Sequence, residues 1–503
     1  MTLTKRTEDL YAEYKDRMRK IADIKNAAAV LQWDEETYLP VKGAGFRGQQ
    51  MATLSEIAHE WMTDTDLGDL LTELNGRGGL AEDQQRNVAL SLEDYNKQKK
   101  FSPAFIRLLS ETGSRCFHSW LRARTANSFA LFRDDLDQMV QLKRKEADLA
   151  GYEGHPYNAL LDQYEKGCTT TLLDKAFGEV RAPLKDLLDR IRTHAPIDDS
   201  FLHQHYPRQE QWDFGIRLIR SLGFDFDAGR QDLSEHPFTT SFSKNDVRIT
   251  TRVDENDFSH MTWSCIHEAG HALYEQGLPE EYYGLPLGEY ASLSIHESQS
   301  RLWENNVGRS YAWWQHWYPL LQQQFPNQLK NTSTEQFYKG INKAGATLIR
   351  TESDEVSYHF HVMIRYELEK SIIEGSLTVA DIPAYWQAKY AAYLGVDVPD
   401  DKKGCLQDVH WSHGSFGYFP TYSLGSFYGA QMFLSAENQD NTIKTGIREG
   451  NTVPLLNWLR PHIHQQGRRH TSEELCRLAT GETLNIKYFL HYLLDKYRNI
   501  YNF

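Results

Sequence analysis

Five residues restrict the architecture more than any other stretch of the chain: His267-Glu268-Ala269-Gly270-His271. Residues four apart lie one above the other on a helix, so H-E-x-x-H brings two imidazoles to one ion only if the segment is helical. Glu268 then sits beside that point as a base for water. With 20 His in 503 residues, chance supplies about 0.05 such matches at ordinary Glu usage. The flanks agree. Ser259 is a candidate N-cap, and Gly277 with Pro279 a candidate stop. Between them Trp263, Ile266, Gly270 and Leu273 form one face, and Ser264, His267, His271 and Tyr274 a neighbouring polar one. The plainer alternative is a helix with two surface histidines.

Metal catalysis of this kind needs a third protein ligand and one open position. Position 277 is Gly, so an extended pattern with a third His there is excluded. The remaining source is a carboxylate from a following helix. In SLSIHESQSRLWEN, Ser292 or Ser294 can cap a helix on which Glu297, Arg301 and Glu304 share a face. Glu297 comes 26 residues after His271 (297 − 271), enough for a loop and a return helix, with Glu304 one heptad later. Spacing favours Glu297 and leaves Glu304 open.

Elsewhere helical spacing dominates, and only 16 residues are Pro. From a cap at Thr7, the positions Leu10, Tyr14, Met18, Ile21, Ile24, Ala28 and Leu31 follow one helix face. The pattern predicts a long helix from about Ile341 to Ile373, ending near Gly375, and another through Tyr488, Leu493 and Tyr497. One region differs: Pro237 to Phe242 and Val247 to Val253 read as strands, with Ser243 to Asp246 as the turn. The second strand is a candidate to pair with a peptide substrate's backbone. Gly43-Ala44-Gly45-Phe46-Arg47-Gly48 matches G-x-G-x-x-G, but no apolar strand precedes it, and a surface loop is expected.

Composition narrows the partners. Lys and Arg total 55 against 69 Asp and Glu, a net charge of −14. That sign argues against nucleic acid and against anionic membrane surfaces as partners. No apolar run is long enough to span a bilayer, and MTLTKRTEDLYAEYKDRMRK has no secretory apolar region. Five dispersed cysteines, none in CxxC, suit a reducing cytoplasm.

HEAGH followed by HESQSRLWEN resembles the carboxypeptidase Taq family of metallocarboxypeptidases. Further motifs of that family occur in order: His236-Pro237-Phe238, DVRITTR from Asp246, IRTESDE from Ile349, GCLQDVHW from Gly404 and GYFPTYSLG from Gly417. The likeness reaches WDEETYLP near Trp33 and WLRPHIHQQGRRHTSEEL near the C-terminus. It implies a mainly α fold similar to neurolysin and angiotensin-converting enzyme. Residues 1–503 would form one domain of two helical lobes flanking a deep groove, with a small β-sheet at about 237–253 beside the metal. It implies one divalent ion, zinc or alternatively cobalt, held by His267, His271 and Glu297. It also implies release of single C-terminal residues from peptides with broad specificity, and a homodimer.

Several residues have two readings. Arg350 is either a clamp for a peptide's terminal carboxylate, suited to its forked guanidinium, or the partner of Asp354 one turn on. The resemblance favours the clamp. His410 and Tyr422 are candidate oxyanion donors, with aromatic packing as the alternative; packing is preferred for His413 and Tyr418. His236 and Arg248 are candidate substrate contacts, although Arg248 could instead pair with a buried carboxylate. An endopeptidase or dipeptidase on the same scaffold is the nearest functional alternative. A silent helical scaffold and an acidic peptide-binding chaperone are the others.

Overall fold

Side chains recurring every three to four residues give each helix one face to hide, and here the helices hide them against one another. The computed structural model describes residues 6–503. It is mainly helical with a single three-stranded sheet among the described residues. The first helix, Thr7–Thr37, buries Leu10, Tyr14, Met18 and Ile21 against Leu67, Leu71, Leu74 and Val88 in a small N-terminal cluster. Thr7 is its first helical residue rather than its cap; Arg6 precedes it in extended geometry. Most later helices share a much larger core in which Trp303, Trp313, Trp314 and Trp386 are fully buried.

The sheet consists of β1 (Gly229–Leu233), β2 (Thr239–Ser243) and β3 (Asp246–Thr251), in the order β1-β3-β2. β3 runs parallel to β1 and antiparallel to β2, and Val247 and Ile249 are wholly buried. Both expected strands are present, slightly displaced. β1 was not anticipated because GRQDL is short and polar and does not alternate. A central β3 already bonds on both sides, so the expectation that it pairs with substrate fails; β1 and β2 are the edges, and of the two only β2 lines the groove described below.

Three further expectations change. The stretch from Ile341 to Ile373 is not one helix: helix Thr334–Ile341 ends, a single 3-10 turn spans Arg350–Glu352, and helix Tyr358–Glu374 follows. Asp354 causes the break. Its carboxylate accepts from the backbone N–H groups of Gly345, Val356 and Ser357, which competes with a helical path. The G-x-G-x-x-G stretch is not a loop but a 3-10 turn, Val41–Gly43, leading into helix Ala44–Met62. The helix carrying HEAGH, Phe258–Glu275, is capped by Asp257, whose carboxylate accepts from the Ser259 N–H at 2.8 Å. Ser259 itself is therefore inside the helix.

Candidate active site

Two helices and one close contact build the centre of the site. Ser292 caps Leu293–Arg301 through the Ile295 N–H, and this helix packs across the HEAGH helix. The two meet at Gly270, where a Cβ would lie 2.6 Å from Ser300 Cα. On the opposite side helix Pro420–Gln439 approaches equally closely: a Cβ on Gly425 would lie 2.5 Å from Glu297 Cγ. Only glycine permits either approach.

That packing brings His267, His271 and Glu297 together, with one ligand atom of each within 4.8 Å of the others. Glu297 Oε2 lies 3.8 Å from His267 Nε2 and 3.4 Å from His271 Nε2. Ligands about 2.1 Å from a tetrahedral ion lie about 3.4 Å apart, so the donor set fits one. Glu304 occupies a different place. A π-helical turn, Leu302–Val307, carries it to the far nitrogen of His267, with Oε2 2.8 Å from Nδ1. Arg301 donates to both carboxylates, at 2.7 Å to Glu297 and 3.2 Å to Glu304.

The electrostatics follow from burial and neighbours. Burial alone would raise Glu297, but Arg301 and the two histidines outweigh it and hold the carboxyl well below its ordinary value. Glu304 likewise falls to about 2 despite burial, through Arg301 and His267. Burial lowers His271 to about 3, so its imidazole is neutral, as a ligand must be. Glu268 moves the other way: burial raises it, with His267 and the Thr239 hydroxyl opposing. Thr239, on β2, donates to Glu268 Oε2 at 2.6 Å.

Thr239, His267, Glu268, His271 and Glu297 line a groove of about 1500 Å3, whereas Arg301 and Glu304 line a separate cavity behind it. The groove walls include β2, part of the first helix at Ala22 and Asn26, and Tyr290, Tyr418 and Tyr422. Tyr418 therefore faces the groove rather than only packing, whereas His413 stacks on Phe117 at 5.3 Å, as expected.

Arg350 is buried, and Asp354 is not its partner. Its Nε donates to Asp408 at 2.9 Å and its Nη1 to the Tyr358 hydroxyl at 3.2 Å, so the helix-brace reading does not describe it. Asp408 also accepts from Arg365 at 2.7 Å. The Arg350 guanidinium lies 4.9 Å from the centre of the Tyr422 ring, and the Tyr422 hydroxyl is 3.1 Å from His410 Nε2. Burial, reinforced by Arg350, lowers His410 to about 3. Arg248 pairs with the half-exposed Asp246 at 2.8 Å, not with a buried carboxylate, and lies over Trp33 at 4.3 Å. Asp246 and Pro237 belong to the groove wall, while the neighbouring Arg248 and the exposed His236 do not. Asp408 and Thr239 escaped the sequence reading. Both lie inside or beside motifs quoted for the resemblance, which is the one signal that points to them.

The carboxypeptidase Taq (M32) metallopeptidase family model matches residues 13–497. The chain belongs to this family. It is 36% identical to carboxypeptidase 1 of Bacillus subtilis (strain 168), covering 97% of this chain and 98% of that one. It is 37% identical to thermostable carboxypeptidase 1 of Thermus thermophilus, covering 98% and 99%. The crystal structure of the M32 carboxypeptidase from Deinococcus radiodurans R1 superposes with a TM-score of 0.97 at 36% identity, covering 98% and 100%. This M32 protein is thus a metal-dependent carboxypeptidase, a hydrolase acting on peptides, and the endopeptidase or dipeptidase alternative is not favoured. Among the described residues no helix is long and apolar enough to cross a membrane.

Proposed function

We propose that His267, His271 and Glu297 hold one divalent ion, zinc in preference to cobalt, that Glu268 is the general base, and that Arg350 anchors the substrate's terminal carboxylate. Two imidazoles and one carboxylate around an open side suit zinc, though the same donors accept cobalt. When bound, the ion supplies Lewis acidity at the scissile carbonyl and acidifies water. Glu268, steadied by Thr239, takes the water's proton and returns it to the leaving amine. Burial, which raises the pKa of Glu268, makes it a stronger base for the first of these transfers.

One observation carries the exopeptidase assignment of Arg350. Arg350 and Arg365, both buried, share the carboxylate of Asp408, so Arg350 pairs with no carboxylate of its own. A peptide's C-terminal carboxylate supplies one by a forked, charge-assisted contact. Tyr422, stacked on Arg350 and lining the groove, together with the neutral His410 beside its hydroxyl, donates to the oxyanion. The free edge of β2 takes the substrate backbone as an added strand, with His236 and Arg248 completing that rim. The same reading makes the protein a single-domain, cytoplasmic homodimer. Five free, buried cysteines suit a reducing compartment, and sedimentation velocity tests the dimer.

The test compares a free-acid peptide with its C-terminal amide, followed by mass spectrometry with and without chelator. Arg350→Ala should lose roughly 30- to several-thousand-fold in kcat/KM on the acid and far less on the amide. Arg350→Lys should recover only part, since one ammonium cannot make two parallel bonds. Equal losses on both substrates would remove the clamp from the mechanism.

A further inference from the structure

The two histidines of HEAGH are anchored in different ways. His267 has a carboxylate directly on its Nδ1, that of Glu304. His271 has none. Its Nδ1 lies 2.6 Å from Nδ1 of His296 and 3.1 Å from the His296 carbonyl oxygen, and His296 Nε2 in turn lies 2.8 Å from Glu275 Oε1.

We propose that Glu275 and His296 are positioning residues that fix the tautomer and ring orientation of His271 through a carboxylate–imidazole–imidazole chain, and so set the affinity of the metal centre. This rests on the metal-site reading above.

The argument is a proton count. A His271 ring that offers Nε2 as a ligand must carry its proton on Nδ1. Two ring nitrogens 2.6 Å apart can share only one proton, so His296 Nδ1 must be the acceptor. The proton of neutral His296 is then on Nε2, where it donates to Glu275. Every donor in the chain meets an acceptor, with the His296 carbonyl oxygen as a second, longer one for His271 Nδ1–H, and reversing any link sets two protons or two lone pairs face to face. Rings hold His296 in that pose: Tyr274 packs at 5.4 Å and Tyr290 meets it edge-on at 4.9 Å. The Glu275 and His296 side chains stand in the groove wall and are only 10% and 13% exposed. Glu275 is the last residue of the HEAGH helix and His296 precedes Glu297, so the chain ties the ends of both ligand-bearing helices to one imidazole.

The test measures metal affinity of the full-length protein by chelator competition with zinc alone, beside the melting temperature of the metal-free protein. Glu275→Ala and His296→Phe should each weaken zinc binding about 10- to 100-fold. His296→Phe keeps the ring stack and Glu275→Gln keeps an acceptor, so the Gln variant should recover most of the affinity lost in Glu275→Ala. Glu280→Gln, which changes a groove carboxylate bonded to Lys244 and Asn245, should leave affinity unchanged. A drop in metal-free melting temperature with zinc affinity intact in both Glu275→Ala and His296→Phe would overturn the chain and leave a structural brace. Glu297→Ala separates the two levels: zinc retained in that variant overturns the ligand assignment itself, whereas zinc lost there but unaltered in the Glu275 and His296 variants overturns only the relay.

Discussion

Glu268, Glu297 and Glu304 are three glutamates within reach of one histidine pair, and their neighbours divide the work among them. Glu297 and Glu304 each face Arg301 and are held ionised, whereas Glu268 has no guanidinium beside it and burial outweighs His267 and the Thr239 hydroxyl, raising its pKa. Glu268→Gln should therefore keep its metal and lose about 100-fold or more in peptide hydrolysis, read by metal analysis beside activity. Glu297→Ala should empty the site, since two imidazoles are too few for a four-coordinate ion with an open position. Glu304→Ala should retain metal with affinity reduced about 10- to 100-fold, because it removes the partner of His267 Nδ1 and an acceptor of Arg301 but no ligand. Full loss of metal in Glu304→Ala would exchange the two roles. HEAGH was legible from spacing alone. The choice between Glu297 and Glu304 was not, because a sequence shows that two carboxylates share a face but not that a π-helical turn swings one of them behind the ligand.

At the scale of elements, caps and breaks decide where side chains arrive. Asp257 satisfies the first turn of the HEAGH helix, so Asp257→Ala should cost about 1 kcal/mol, read as a lower denaturation midpoint at unchanged slope. Helical periodicity carried the sequence reading through the long first helix and the C-terminal one. It failed between 342 and 357, where Asp354 gathers backbone donors and turns Arg350 inward toward Asp408, 58 residues on in the chain. An i,i+4 pair is visible in sequence; a partner brought by tertiary packing is not. The sheet was two-thirds legible for the same reason: β3 alternates and β2 leads into it through a turn signal, while β1 is a strand only because β3 lies beside it.

The whole molecule carries buried imidazoles that set its acid stability. Burial lowers His359 and His410 to about 3 and holds His361 and His464 well below their ordinary value. Unfolded, all four titrate near 6.5. Below that pH the unfolded chain takes up protons the folded one refuses, so stability is intact above about 6.5 and falls progressively toward pH 3. Each histidine can contribute up to about 1.4 kcal/mol per pH unit in that window. Urea midpoints of the metal-free protein should fall steeply between pH 6.5 and 4, and a His464→Gln variant should flatten the slope. A flat profile would mean these rings take up protons in the folded state as readily as in the unfolded one. Charge and composition gave the class of molecule from the sequence, but nothing in either revealed how many imidazoles lie in the interior.

The glycines at 270 and 425 have a consequence for which ions the centre can admit. They leave the backbone bearing Glu297 wedged between two neighbours already at contact distance, with no slack to recoil. An ion such as calcium, which asks for six to eight oxygens at about 2.3–2.6 Å, would need that rod to retreat and further ligands to crowd in. Around the metal centre proposed above, so tight a jaw would gauge its guest by radius, and exclusion of large cations would then lie in the main chain rather than in a side chain.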